Sequence, residues 1–353
     1  MHIPRPFTRS VVRAVAALAV LPAATLAQSL DSLSVLDAPP ARDSASAPHL
    51  LPPRDLARAM QLGFENDLIA VRGAGVPPDY DYTSGVRVSV VRATAPRWVR
   101  RMTRRGGQCD VPADRASGCV AGTVGVTHQI YTPRLNSEVP VSGERPYAGW
   151  LFGSADFTMI RPGHSRLLGI DAGFTGPASF AEEMQNSLHR LLDNTPKLGW
   201  RDQLPNAPGV VLRYEEGRRV EAALRRAVTA VDVRWGARAG NIVNALSGGV
   251  EATLGFWSAR PWTPAEPRVE RPRAAYVSLG YSHDVVLRNV LIEGRGTAPG
   301  AVKRTHVGQV EAGLGYRHRR FSAAYRHIVR GREYDAQLEP HPFGSLTLSV
   351  NRF

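Results

Sequence analysis

The chain has 353 residues, 43% of them hydrophobic, a formal net charge of +13 and two cysteines. That hydrophobic content excludes a wholly disordered chain, and two cysteines exclude a disulfide-framework miniprotein. Outside the extreme N-terminus nothing approaches the roughly 18–20 consecutive apolar residues of a spanning helix, which excludes a polytopic helical membrane protein. The basic balance suits nucleic acid or an anionic membrane surface and does not choose between them.

The first residues decide the compartment. Arg5, Arg9 and Arg13 precede an apolar stretch, Ala14 to Leu21, which runs into Pro22-Ala-Ala-Thr-Leu-Ala27. A basic head, a short apolar core and a small-residue end predict a secretory signal peptide over residues 1–27, cleaved after Ala27; an uncleaved anchor helix is the alternative. Loss of the three arginines leaves a formal charge of +10. Export argues against a nucleic-acid partner. It also places Cys109 and Cys119 in an oxidising environment, where a local disulfide is expected. Zinc would need a second pair of ligands at the right spacing. Residues 28–58, interrupted by Pro39, Pro40, Pro48, Pro52 and Pro53, read as a linker.

From residue 59 to 353 one pattern dominates, so this stretch reads as one domain. Leu168, Ile170, Ala172 and Phe174 alternate with Gly169, Asp171, Gly173 and Thr175. Runs at 250–256, 276–282 and 309–316 alternate in the same way, and eight more lie at 61–71, 82–92, 122–131, 147–159, 210–218, 226–235, 319–329 and 343–353. Period-two runs separated by turn residues are strands, about twelve of them. One face is apolar and the other carries Gly, Ser, Thr, Glu and Asp. In a soluble sandwich the apolar face points inward; in an outer-membrane barrel it points to lipid and the lumen is polar. Export, strand length, an even strand count and the terminal Phe353 favour an all-β transmembrane antiparallel barrel.

One segment, about 179–192, breaks the alternation and reads as a helix in a loop. Ser179 is placed to cap it, and Glu182 and Glu183 favour its first turn. Phe180, Met184, Leu188 and Leu191 form an apolar stripe at helical spacing. Gln185 and His189, four apart, share another face. A polar Gln–His pair on a lone helix in a barrel asks for an explanation.

At these residues the sequence resembles the LpxR-type lipid A 3-O-deacylases of Gram-negative outer membranes. The resemblance rests on motifs in order: Phe64-Glu-Asn-Asp67, Asp81-Tyr-Thr-Ser-Gly85, Gln129-Ile-Tyr-Thr-Pro133, Glu144-Arg-Pro-Tyr-Ala-Gly-Trp150, Gly176-Pro177, Gln185-Asn-Ser-Leu-His189, Gly199-Trp-Arg-Asp-Gln-Leu204 and Arg288-Asn289. It implies a twelve-stranded barrel in the outer membrane, with its active site between the wall and a helix near the outer leaflet. It implies Ca²⁺-dependent hydrolysis of an acyl ester of lipid A, releasing an acyloxyacyl group. By motif match, Asn66 and Asp67 lie beside the metal, Thr83 is the site hydroxyl, and Gln185 and His189 are the helix pair, with His189 as base. The sequence departs from the family at Ser84, where Asn is usual, and at Glu144, where Asp is usual. A carboxylate is expected after the helix histidine, and Asp193 is the candidate.

The chemistry also stands on the residues. Ester hydrolysis needs a base for water and a site that stabilises the oxyanion. A neutral imidazole suits the first, and an oxygen-liganded hard cation beside Asp67 and Asn66 suits the second. Direct attack by water is the favoured route. The competitor uses Ser84, Ser187 or Thr83 as nucleophile, although no Gly-x-Ser-x-Gly elbow frames them. The plain alternative for His189 is an ordinary helix-surface histidine. Arg145 either pairs with lumen carboxylates or binds a substrate phosphate, the pairing being favoured. Arg100, Arg101, Arg104 and Arg105 form a basic cluster that is either a solvated loop or a contact for anionic head groups. A monomer is expected. The alternatives at the level of function are a non-enzymatic pore of the same fold and a phospholipase.

Overall fold

The computed structural model describes residues 59–351, except 71–79, 93–94, 103–108, 110–117, 192, 224–226, 257–272 and 319. The expected signal peptide, linker and terminal Phe353 lie outside the described residues. Among the described residues no helix is long and apolar enough to cross a membrane.

The strands are β1 (Ala59–Asn66), β2 (Asp81–Arg92), β3 (Cys119–Thr132), β4 (Ala148–Arg161), β5 (His164–Thr175), β6 (Ala207–Ala223), β7 (Ala227–Gly240), β8 (Val243–Phe256), β9 (Arg273–Asn289), β10 (Gly294–Arg295), β11 (Ala298–Pro299), β12 (His306–His318), β13 (Phe321–Arg330) and β14 (His341–Asn351). Among the described residues three α-helices join them: α1 (Arg97–Met102), α2 (Ala181–Leu191) and the single turn α3 (Val290–Glu293). Strands β10 and β11 form a two-residue ribbon, and the other twelve close into one barrel, β1 pairing antiparallel with β14. Closure pairs the backbone groups that an open sheet edge would expose to hydrocarbon. Each of the twelve alternating runs in the sequence corresponds to one barrel strand.

The side-chain pattern settles which face meets which medium. Leu168, Ile170, Phe174, Val277, Tyr281, Val310, Leu314 and Tyr316 are exposed on the outside. A soluble sandwich would bury them. The opposite parity carries charge into the lumen, where pairing offsets the cost of desolvation. Arg213 donates to Asp156 and Asp171 at 2.5 and 2.9 Å. Arg326 donates to Glu311 at 2.7 Å and to Glu251 at 3.1 Å.

The barrel has two unlike ends. The terminal end carries Ala59, Asn351 and the two-residue turn at 162–163, and there only three residues separate β6 from β7 and two separate β12 from β13. The loop end carries the connections 67–80, 133–147, 176–206, 290–305 and 331–340. Five of the seven connections of ten residues or more lie at the loop end, 93–118 and 257–272 being the exceptions at the terminal end, and that bias is the extracellular signature of such barrels. Arg145 fastens several loop-end segments together. Its guanidinium donates to Glu333 Oε2 and to the carbonyl of Leu291, both at 3.2 Å, and lies 3.9 Å from Asp81. Arg330 donates to Glu333 from the other side at 2.9 Å. Burial raises the cost of ionising Glu333, yet the two guanidinia and His341 hold its pKa below the ordinary carboxylate range.

Candidate active site

The site is built on the outer face of β1 to β4 at the loop end. Strand alternation fixes that face. In β1, Met60 and Leu62 are exposed to the outside, so Asn66 shares their side. In β3, Val124 and Val126 are exposed, so His128, Ile130 and Thr132 share theirs. Between Tyr82 and Ser84 the register of β2 against β3 shifts by one. Thr83 is the extra residue of that bulge, and its hydroxyl meets Thr132 Oγ1 at 2.8 Å. Bulges re-aim side chains in this way.

Asn66 ends β1 by capping the turn that follows. Its Oδ1 accepts from Leu68 N at 2.7 Å, and its Nδ2 donates to the Thr83 carbonyl at 3.0 Å. Asp67 is thereby held at the start of a 3-10 turn, 1% exposed, with Oδ2 accepting from Tyr80 N at 3.3 Å. Burial and the neighbouring carboxylates of Glu339 and Asp81 push the Tyr80 phenol up to about 12, so it is neutral at physiological pH.

Helix α2 lies against the same outer face. Ala181 packs with Ile130, Tyr147 and Trp200. A Cβ at Gly149 of β4 would run into Ser179 Oγ and Ala181 Cβ, so glycine is what lets the segment approach. The buried stripe of α2 is Ala181, Gln185 and His189. The apolar stripe is the one left out: Phe180 is 61% exposed and Leu191 79% exposed, with Met184 and Leu188 between them. In water that arrangement would be inverted. On the outside of a membrane barrel the apolar face belongs to hydrocarbon and the polar face to the protein. Ser179 does not cap α2; it ends a 3-10 turn and its hydroxyl donates to the Gly176 carbonyl at 2.6 Å.

Both polar side chains of α2 are oriented. Trp200 Nε1 donates to Gln185 Oε1 at 3.0 Å, which makes the NH₂ the donating end of that amide. His189 Nδ1 lies 2.6 Å from the Thr195 carbonyl. A carbonyl only accepts, so Nδ1 carries a proton, and in the neutral ring Nε2 is the basic nitrogen.

Whether a hard cation suits this place follows from the donors. Asp67 offers a buried carboxylate, and Asn66 keeps a second lone pair on Oδ1; the hydroxyls of Thr83 and Thr132 meet one strand further along the same face. The set is oxygen throughout, as Ca²⁺ prefers. Among the described residues no three His, Cys, Asp or Glu side chains gather into a metal group. The fit is therefore to a hard ion held by one carboxylate and neutral oxygens, not to a zinc-type cluster.

The model of the family described as "Outer membrane protein LpxR" matches residues 14–352. The chain belongs to the LpxR family. The solved structure of LpxR from Salmonella typhimurium superposes with a TM-score of 0.69 at 16% identity, covering 84% of this chain and 100% of that one. The barrel and the family place the protein in the outer membrane. More distant are the β domain of the Bordetella autotransporter BrkA, at 14% identity over 83% of this chain and 97% of that one with a TM-score of 0.39, and the translocator domain of NalP from Neisseria meningitidis, at 11% identity over 84% and 87% with a TM-score of 0.37. No curated protein matches the chain in sequence.

Within this LpxR-family barrel, Asn66, Thr83, Gln185 and His189 lie on one side of the wall at one end, with Asp67 immediately after Asn66. Arg145 makes the pairing that the sequence favoured over a substrate phosphate: its side chain is fully buried and donates to Glu333 and to the Leu291 carbonyl. Two other sequence readings are corrected. Asp193 is not the partner of His189. It sits in the left-handed region at φ 55° just past the helix, and the Thr195 carbonyl takes the orienting role. Ser187 is no nucleophile for His189, because it is exposed on the far side of α2 and bonds Arg190. Two residues went unassigned in the sequence reading although motifs contained them: Trp200, which orients Gln185, and Thr132, which pairs with Thr83. Glu144 holds a loop, accepting from Arg134 N at 2.6 Å, and Asn289 caps α3. Cys109 and Cys119 form a disulfide, remote from this site at the terminal end.

Proposed function

We propose that this chain is a lipid A deacylase, hydrolysing a 3'-O-linked acyl ester from the outer leaflet by His189-activated water. The observation that supports it best is the fixed tautomer of His189 on a helix that shares the outer face of the wall with Asn66 and Thr83. A substrate dissolved in the leaflet reaches that face sideways, without entering the lumen.

The steps balance on this chain's own groups. His189 Nε2 takes a proton from water, and the hydroxide adds to the ester carbonyl carbon. The Gln185 NH₂ donates to the water or to the developing oxyanion. The tetrahedral species collapses, the bond between the former carbonyl carbon and the sugar oxygen breaks, and the imidazolium returns its proton to the leaving sugar alkoxide. The products are an acyloxyacyl carboxylic acid and a free sugar hydroxyl. Ca²⁺ held by Asp67 and Asn66 would polarise the ester carbonyl as a Lewis acid. Thr83, bonded to Thr132, serves as a site hydroxyl and not as the nucleophile.

Mass spectrometry of lipid A from cells expressing the protein tests this. Loss of one acyloxyacyl unit, absent in His189→Ala, is the expected result. Unchanged lipid A with correctly inserted protein would favour the non-enzymatic barrel. Fatty acid release from phospholipid alone would favour the phospholipase. A pore reading is opposed by the mouth of the barrel, where Arg145, Glu333, Leu291 and Asp81 join across the lumen.

A further inference from the structure

Helix α1 and the Cys109–Cys119 bond play no part in the chemistry above, and they lie at the terminal end, opposite the candidate site. Helix α1 reads Arg-Trp-Val-Arg-Arg-Met and contains no acid. Val99 is 5% exposed and packs with Ala95, Val120, Phe157 and Met159. Phe157 and Met159 have the parity opposite to the lumen residue Asp156, and Val120 shares the parity of the exposed Val124 and Val126. The helix therefore rests on the outside of the barrel wall, not over its mouth.

Its remaining face is basic and aromatic. Arg97, Trp98 and Arg101 are exposed, and the Trp98 ring stands edge-on to Phe157 at 5.6 Å. Arg92 at the end of β2 and Arg161 at the end of β4 are exposed on the same outer face. From residue 97 to 119 the sequence has six arginines against Asp110 and Asp114. The Cys109–Cys119 bond fastens the far end of this segment to the start of β3, where both sulfurs are buried with Ala121 and Ile160. A merely solvated loop needs neither attachment.

We infer that α1 and the wall beside it form a binding surface for anionic phospholipid head groups in the leaflet at the terminal end. Tryptophan beside an apolar wall and arginines at strand ends are the residues that settle at a membrane interface, apolar body inward and charge at the head groups. The charge complement of exposed arginines and a tryptophan on an apolar outer wall is a lipid phosphate. Held there, the segment fixes the depth of the barrel in the membrane.

The test uses the full chain, purified in detergent and titrated with phosphatidylglycerol or phosphatidylethanolamine under native mass spectrometry. The expected result is preferential retention of phosphatidylglycerol, weakened about 25-fold in Arg97→Gln/Arg101→Gln, at about fivefold per arginine. In vesicles, Trp98 fluorescence, taken as wild type minus Trp98→Phe, should be quenched by lipid brominated near the glycerol. Equal retention of the two lipids, or an anionic preference untouched by the double variant, overturns the inference. So does an anionic preference in the wild type that survives 1 M salt, where the screening length falls to about 3 Å; this readout needs no variant.

Discussion

Trp200 donates its indole N–H to Gln185 Oε1 at 3.0 Å from a position 1% exposed to solvent. The bond links the 3-10 turn at Gly199–Asp202 to the polar stripe of α2. Trp200→Phe keeps an aromatic ring against Tyr147, whose ring centroid is 5.0 Å away, but removes the donor. A net hydrogen bond contributes about 1 kcal/mol, so kcat on lipid A micelles should fall about fivefold with little change in KM. An unchanged kcat would remove Gln185 from the oxyanion role.

Gly149 sets how close α2 comes to the wall. A valine there would meet Ser179 and Ala181 and push the helix outward. A misplacement of about 1 Å costs on the order of 100-fold in rate. Gly149→Val should thus lose deacylation by about that factor while keeping the heat-modifiable gel mobility of a folded barrel. Retained activity would mean that the helix does not carry the base.

Arg145 and Glu333 are partners 188 residues apart. Removing Arg145 leaves Glu333 buried with Arg330 as its remaining cation, so the loss should be substantial but below the ~3–5 kcal/mol of a fully unpaired buried charge. Arg145→Met should show this in urea unfolding from lipid vesicles, and adding Glu333→Gln should recover part of it. Lipid A affinity of the folded fraction should not move. If it falls while stability holds, Arg145 is a phosphate ligand after all.

The same carboxylate predicts an acid limb. The pKa of Glu333 is lowered on folding, burial opposing the charge and the guanidinia of Arg330 and Arg145 outweighing it. A depressed pKa adds stability that is present above the unfolded value and lost as pH falls through the folded one. Unfolding measured from neutral pH downward should therefore show stability falling below the ordinary glutamate range, with a shallower slope in Glu333→Gln. Equal slopes would assign the acid limb to other carboxylates.

Chelation separates the ion from the base. EGTA should abolish acyl release and added Ca²⁺ restore it. Asp67→Asn should need a higher Ca²⁺ concentration for half-activity, since it removes a negative ligand. His189→Ala should respond to no concentration. Full activity in EGTA would leave Asp67 a structural residue.

Range separates what is legible in the chain from what is not. Alternation is local, with period two, and each of the twelve strands is legible from a handful of neighbours. Helix α2 is legible by its 3–4 spacing, and so is the Gln185–His189 pair, because i and i+4 share a face whatever surrounds them. The expected cap and partner failed for a related reason: Ser179 and Asp193 were natural choices by adjacency, while the backbone turned Ser179 to Gly176 and brought the Thr195 carbonyl to His189.

The sequence by itself determined the strand count, the two-faced alternation and the Gln185–His189 spacing, since those depend on residue type and short range. Only the tertiary structure decided which side of the wall each residue occupies. The apolar stripe of α2 faces lipid because the helix sits outside the barrel, and Arg145 belongs to Glu333 because ring closure brings distant loops together. Those outcomes rest on contacts between segments far apart in the chain, which no local pattern encodes.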